Sequence, residues 1–274
     1  MICHAFGYTR QAYYKHLFLD EEREEQSVKV VEVVQEIRHI QPKAGGRKLH
    51  VMLKEGRSIY QIKIGRDALY ELLHKHKLIL KKEKRNHPTT NSRHNFQVYP
   101  NLIKNLKVDT INQVWVSDIT YLKTIKGYCY LSLVTDLYSR KILGYKLSDS
   151  LAAEHTLAAF KLAHTTANPP IGLIHHSDKG IQYCCKNYIE SLQKAGIAIS
   201  MTGPDHCFDN AVAERLNGIL KSEFGLGEVM PDYKTAKALV NEAVFIYNNL
   251  RLHASLKYKT PDEIYFSGSV PKAS

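Results

Sequence analysis

Long hydrophobic runs and paired cysteines are both missing from this chain of 274 residues. No apolar stretch approaches the ~20 residues that cross a bilayer, so a membrane-spanning protein is not expected. No secretory signal is visible, and the odd number of cysteines contains no C-x-x-C pair. These absences argue against a disulfide framework and predict a cytoplasmic protein. The five cysteines are Cys3, Cys129, Cys184, Cys185 and Cys207.

A weak hint of zinc comes from two adjacent pairs, His175-His176 and Cys184-Cys185. Adjacent residues fit a tetrahedral zinc site poorly, because structural sites space their ligands by two or more residues. A zinc site is therefore not expected.

Positive charge is present in excess and is unevenly distributed. The formal net charge is +11, with 21 Lys or Arg against 11 acids in residues 1–107 but 17 against 16 in residues 108–274. Residues 74–107 alone hold nine basic residues and one acid, Glu83. Such a stripe is typical of nucleic-acid contacts, although a solubility surface or a charged linker would have the same composition. We expect DNA contacts from Lys81, Lys82, Lys84 and Arg85.

The front third of the chain has the pattern of short helices. Val30, Val33, Val34 and Ile37 repeat at i, i+3, i+4 and i+7, which predicts an amphipathic helix over residues 27–40. Two further helices are predicted over 47–55 and 65–76, with a glycine-containing turn between them. Residues 1–25 become acidic towards their end, and we interpret them as an internal part of a longer reading frame.

This helical pattern is compatible with a helix-turn-helix DNA-binding region. Small helical hairpins with other functions have the same pattern and are about as common. In the DNA-binding interpretation, the recognition helix would carry Arg66, Asp67, Tyr70 and Glu71.

From about residue 109 the apolar period changes from 3.6 to 2, which indicates strands. Three strands in succession are followed by alternating helices and strands, an order βββαβαβα. That order predicts a ribonuclease-H-like α/β fold with a mixed five-stranded sheet and flanking helices. The predicted strands are 114–122, 127–136, 141–147, 171–178 and 197–201, and the predicted helices are 153–164, 183–195, 209–224 and 233–250.

Three acids lie on three different predicted elements of this region. Asp118 lies in the middle of an apolar strand, Asp178 ends another strand, and Glu214 lies on a helix, separated from Asp178 by 35 residues. Taken singly, each has an ordinary explanation: an edge-strand residue, a helix N-cap and a solvated helical acid. Together they would repel one another unless a cation lay between them, which in a basic protein favours Mg²⁺ bridging the acids and a nucleic-acid phosphate.

Four sequence motifs follow one another in the second part of the chain: W-V-S-D-I-T-Y, H-H-S-D-K-G-I-Q-Y, D-N-A-V-A-E-R-L-N-G-I-L-K and Y-N-N-L-R-L-H-A-S-L-K-Y-K-T-P. In this order they resemble the DDE transposases of the IS-three insertion-sequence family, specifically the product of the second reading frame, OrfB. More distantly they resemble retroviral integrase cores. The resemblance covers nearly the whole chain, with a looser match at G-R-K-L and I-G-R-D-A-L-Y-E-L-L.

The resemblance implies that Asp118, Asp178 and Glu214 are the catalytic triad and hold two Mg²⁺ ions, for which Mn²⁺ can substitute. It implies that Lys221 contacts the terminal DNA of the element. Gly180, Gln182 and Tyr183 belong to the motif around Asp178, and Asn210 belongs to the motif around Glu214. The residues of the final motif match positions that the resemblance implies to be structural or DNA-supporting: Tyr247, Asn248, Arg251, His253, Thr260 and Pro261. Residues 202–208 depart from the glycine-containing loop that the family carries before D-N-A.

The implied activity is nicking at the 3′ ends of an insertion sequence, followed by strand transfer into target DNA. The implied partners are the terminal inverted repeats, target DNA, further copies of the chain and the upstream-frame product OrfA, with the bacterial nucleoid as location. Two other readings stay open: a nuclease or resolvase that cuts without joining, and a truncated, inactive DNA-binding remnant. The expected domains are a segment 1–25, a helix-turn-helix-like region 26–80, a basic linker 81–107 and a catalytic core 108–268.

Overall fold

The computed structural model describes residues 9–54, 62–80, 96–203 and 211–268. Within it the chain divides into two compact units, Met1–Glu83 and Lys84–Ser274. Predictions at Lys81, Lys82, Lys84, Arg85 and Asn210 lie outside the described residues, as does most of the departing loop 202–208.

The first unit is helical, with α1 at Arg10–Ile40, α2 at Gly46–Leu53 and α3 at Arg66–Lys75. The prediction that a helix begins at residue 27 was wrong, because α1 begins directly after Thr9, whose side chain accepts a hydrogen bond from the Ala12 N–H. The part of α1 before the predicted start is almost entirely exposed, so it has no apolar periodicity for sequence analysis to detect. The core of the unit consists of Val30, Val33, Val34, Ala44, Leu49, Leu53, Ile62, Leu69, Leu72 and Leu73.

The second unit is built on a mixed sheet of five strands. These are β1 (Val114–Thr124), β2 (Gly127–Asp136), β3 (Ile142–Ser148), β4 (Ile174–Ser177) and β5 (Ala198–Met201), in the order β3-β2-β1-β4-β5. The first three strands pair antiparallel, whereas β1–β4 and β4–β5 are parallel. The predicted ribonuclease-H-like α/β fold is confirmed.

Helices cover both faces of this sheet. They are α4 (Ala153–Ala167), α5 (Ile181–Cys184), α6 (Lys186–Lys194), α7 (Ala211–Glu223), α8 (Tyr233–Asn249) and α9 (Pro261–Ser267). The helix predicted over 183–195 is two helices, because the chain is extended at Cys185. Helix α9 was not predicted from the sequence, although Thr260 and Glu263 form a capping box around Pro261 at its start.

Each face of the sheet has its own hydrophobic core. On one face, Leu122, Leu131 and Leu133 pack against Leu220 of α7 and Val240 of α8. On the other face, residues of α4 and α6 pack against the sheet, and this cluster includes Trp115, Phe160 and Tyr188. The middle of β1 is therefore enclosed between two layers of helices, and Asp118 lies there.

Backbone contact between α4 and β3 is unusually close. A Cβ atom on Gly144 would lie 2.2 Å from the Ala159 carbonyl oxygen and 2.6 Å from the Ala163 nitrogen. Glycine at this position is therefore what allows α4 to lie against the sheet. Among the described residues, no helix is both long enough and apolar enough to cross a membrane.

Candidate active site

Asp118 is the most strongly perturbed acid of the site. Its Oδ1 accepts a hydrogen bond from the Ile119 N–H at 2.9 Å, and its Oδ2 accepts one from Asn217 Nδ2 on α7 at 2.7 Å. The pKa of Asp118 is raised to about 7, mainly by burial and also by the negative charges of Asp178 and Glu214, against the lowering effect of the two hydrogen bonds. The three acids thus lie close enough for their charges to interact.

Asp178 directly follows β4 and is fixed by a tight turn. Its Oδ1 accepts a hydrogen bond from the Gly180 N–H at 2.8 Å. A Cβ atom on Gly180 would lie 2.9 Å from that same oxygen, so any larger residue would push the carboxylate away. The glycine of the motif is therefore explained by the position of the neighbouring acid.

Glu214 and Lys221 lie two turns apart on α7, with Asn217 between them. Glu214 is exposed, whereas Lys221 is partly buried. Burial lowers the pKa of Lys221, and the negative charge of Asp118 opposes that shift. One helix therefore presents an acid, an amide and an ammonium group to the region of Asp118.

The donor set of this site fits a hard cation, since carboxylate oxygens are the ligands that Mg²⁺ prefers. Among the described residues, no three His, Cys, Asp or Glu side chains lie close enough together to coordinate one metal ion. Burial is the main cause of the raised pKa of Asp118, and the negative charges of Asp178 and Glu214 add to it. Asp118, Asp178 and Glu214 could therefore hold divalent metal once a cation offsets their repulsion.

Two buried neighbours of the acids were not identified as such from sequence. Asn217 is 7% exposed, and its Oδ1 has no hydrogen-bond partner in the described part of the chain. The hydroxyl of Tyr183, which is 2% exposed, likewise has no partner there. Burial raises the pKa of Tyr183 well above its usual value, and the charges of Asp118 and Asp178 add to this effect. Tyr183 lies in a predicted motif, but its proximity to both acids required the fold.

The C-terminal motif forms a brace behind α7. Arg251 is buried, and its Nε and Nη2 donate to the two carboxylate oxygens of Glu223 at 2.8 and 2.7 Å. Its Nη1 lies 2.9 Å from Nε2 of His253, whose ring meets Tyr247 edge to face. Glu223 is the last residue of α7. The brace thus ties the helix that carries Glu214 to the segment after α8.

Asn248 provides a second tie in the same motif. Its Oδ1 accepts from the Ile142 N–H and its Nδ2 donates to the Ile142 carbonyl, both at 2.9 Å. These bonds satisfy the backbone of β3 at the edge of the sheet, where no further strand follows in the described residues. This half of the motif has a structural role.

Among the predicted DNA contacts in the first unit, Arg66 is described and exposed. Its Nε donates a hydrogen bond to Asp67 Oδ1 at 2.8 Å, and both side chains are more than half exposed. Hydrogen bonding to Asp67 raises the pKa of Arg66. Arg66 at the start of α3 is therefore accessible to a partner.

Comparison with known proteins identifies relatives across the chain. Two family models described as "Integrase core domain" match residues 109–207 and 195–261. The chain is 34% identical over 264 residues to an uncharacterized 31 kDa protein of insertion element IS600 from Shigella sonnei, covering 95% of this chain and 96% of that protein. It is 32% identical over 178 residues to transposase InsF of insertion sequence IS3A from Escherichia coli, covering 64% of this chain and 62% of that protein.

The fold is also found in solved structures. The chain resembles a chain of the simian T-cell lymphotropic virus intasome, solved in complex with PP2A regulatory subunit B56 gamma. The TM-score is 0.50 at 16% identity, covering 87% of this chain and 77% of that one. This likeness concerns the fold alone.

Proposed function

Because this chain belongs to the DDE transposases of the IS3 insertion-sequence family, a group of polynucleotidyl transferases, we propose that Asp118, Asp178 and Glu214 are its catalytic, metal-binding triad. The proposed reaction is cleavage at the 3′ ends of the insertion sequence and transfer of those ends into target DNA. The observation that carries this proposal is that the buried carboxylate of Asp118 lies within reach of the negative charges of Asp178 and Glu214, an arrangement that a bound cation would stabilise.

In this proposal the acids hold divalent metal, Mg²⁺ or Mn²⁺, in two positions. When bound, such ions lower the pKa of an attacking water or 3′-hydroxyl and neutralise charge on the leaving oxygen. The carboxylates fix the metal, and no serine, tyrosine or cysteine nucleophile is needed. The Gly180 turn keeps Asp178 in place, and Lys221 supplies a positive charge to a phosphate beside the acids.

DNA would be held mainly by the basic N-terminal part of the chain, residues 1–107. We assign phosphate contacts to Lys81, Lys82, Lys84 and Arg85, and a further contact to the exposed Arg66 at the start of α3. Phosphate contacts position DNA without reading its sequence. Since two ends must be joined to one target, we propose that the protein acts as an oligomer, alone or with an OrfA product.

A strand-transfer assay separates this function from that of a nuclease or resolvase with the same fold. Precut DNA ends and supercoiled target DNA are incubated with purified protein and Mg²⁺, and joined products are counted. The transposase hypothesis predicts that precut ends are joined to target DNA and that this joining requires their 3′-hydroxyl. Cleavage of uncut ends without any joining would favour the nuclease, and DNA binding without either reaction would favour an inactive remnant.

A further inference from the structure

Asn217 is buried in α7 between the proposed metal ligand Glu214 and the basic Lys221. An asparagine inside a helix costs stability relative to a good helix former, and a buried one must also satisfy both ends of its amide. Only the Nδ2 end is satisfied here, by Asp118 Oδ2 at 2.7 Å. The Oδ1 end has no hydrogen-bond partner within the described residues.

If Asn217 served stability alone, a buried asparagine within a helix and with an unpaired Oδ1 would not be expected. The cost of a buried acceptor without a partner offsets most of what a single hydrogen bond contributes to stability. The hydrogen bond to Asp118, however, constrains the acid by tying it to the helix that carries Glu214. Partners of this kind, bonded to a ligand rather than to the metal, set ligand orientation and strongly affect metal affinity.

We propose that Asn217 is a positioning residue for the metal site. Its Nδ2 group fixes the orientation of Asp118, and its Oδ1 accepts a hydrogen bond from a water molecule bound to the metal. Mg²⁺ characteristically keeps several of its water ligands, and each such water needs nearby acceptors. Both ends of the Asn217 amide are then satisfied only when metal is present.

This inference rests on the proposed role of Asp118 as a metal ligand. It concerns metal binding and stability, so it is tested without measuring strand cleavage. The variant Asn217→Leu removes both polar ends at similar volume, and Asn217→Ala removes them with a smaller side chain. The matched control is Asn241→Leu on α8, an exposed asparagine whose Oδ1 accepts from the Tyr145 hydroxyl at 3.2 Å.

Mn²⁺ binding to the full-length protein is measured by calorimetry, and urea unfolding of the metal-free protein is followed by fluorescence of Trp115, the single tryptophan. We expect both Asn217 variants to bind Mn²⁺ at least tenfold more weakly than the unmodified protein, with Asn241→Leu unchanged. We also expect Asn217→Leu to keep the metal-free urea midpoint, because it removes the unpaired acceptor together with the hydrogen bond.

Mn²⁺ affinity within twofold of the unmodified protein in a folded Asn217 variant would overturn the inference. So would failure of both variants to fold, since no net stabilisation is assigned to this side chain. Asp118→Asn, measured alongside, keeps the two proposals apart. If Asp118→Asn binds Mn²⁺ normally, the proposed function itself is wrong. If only the Asn217 variants bind normally, the proposed function stands and the positioning role does not.

Discussion

Arg251 and Glu223 form a two-bond ion pair at 2.8 and 2.7 Å, with the arginine side chain only 6% exposed. Breaking a buried pair from one side leaves an uncompensated charge and costs about 3–5 kcal/mol. We therefore expect Glu223→Gln to lower the free energy of unfolding of the core by about 3 kcal/mol. The exposed Glu242→Gln on α8 is the matched control and should change it by less than about 0.5 kcal/mol. Urea unfolding followed through Trp115 measures both, and equal midpoints would show that the pair does not brace α7.

The raised pKa of Asp118 gives the metal-free protein a distinctive pH dependence. The carboxyl titrates near 3.8 in an unfolded chain and near 7 in the folded protein, so the folded state holds the proton more tightly. Its contribution to stability is therefore greatest below about pH 4 and is lost as the pH rises to about 7.

Asp118→Asn, which cannot ionise, should avoid that loss. In EDTA, the variant is expected to gain stability relative to the unmodified protein between pH 5 and pH 8. Urea unfolding at both pH values measures the difference. A difference that stays constant between pH 5 and pH 8 would mean that the Asp118 pKa is not raised by its surroundings.

Gly180 tests how closely Asp178 must be positioned. In Gly180→Ala the new Cβ would lie 2.9 Å from Asp178 Oδ1, so the carboxylate must move. Displacement of a reacting group by about 1 Å can cost about 100-fold in rate. We expect strand cleavage to fall by about that factor while the melting temperature changes little.

The control for this substitution is Gly218→Ala on α7, where a Cβ meets no atom within 4 Å. It should retain cleavage and gain about 1 kcal/mol, because alanine favours a helix over glycine. Equal cleavage by the Gly180 and Gly218 variants would remove the reason given for the glycine in this motif.

The basic linker has a testable electrostatic signature. Each phosphate contact contributes about 0.9 to the slope of log affinity against log salt. Replacing Lys81, Lys82, Lys84 and Arg85 by glutamine should therefore reduce that slope by about 3 to 4 on duplex DNA. Four exposed lysines of the core, replaced in the same way, provide the control: Lys161, Lys186, Lys194 and Lys237. If both sets change the slope equally, the linker contributes only general charge.

Most of the core could be predicted from the sequence, because the apolar residues of its strands follow a strong pattern. The predicted bounds of β2 agree with the structure, since turns flank it and its apolar residues are buried on both faces of the sheet. The first half of α1 gave no such signal, because exposed helical residues need no apolar stripe. A signal for α9 was present in T-P-D-E, where threonine, proline and glutamate occupy capping positions.

The residues of the candidate site likewise include some that the sequence predicted and one that required the fold. The acids were predicted from their elements and their motif, and the structure adds that their charges interact. Asn217 could not be predicted, because an asparagine within a helix has no pattern of its own. Its role depends on the distance between α7 and β1, two elements that are far apart in sequence.

Strand cleavage by single-acid variants tests the central proposal most directly. Asp118→Asn, Asp178→Asn and Glu214→Gln are compared in Mg²⁺ with Asp109→Asn and Glu242→Gln, two exposed acids of the same unit. Metal-held charge stabilisation amounts to several kcal/mol, so each triad variant should cleave about a thousandfold more slowly while still binding DNA. The control variants should cleave normally. Cleavage near the unmodified rate by any one of the three triad variants would contradict the assignment of that acid to the catalytic centre.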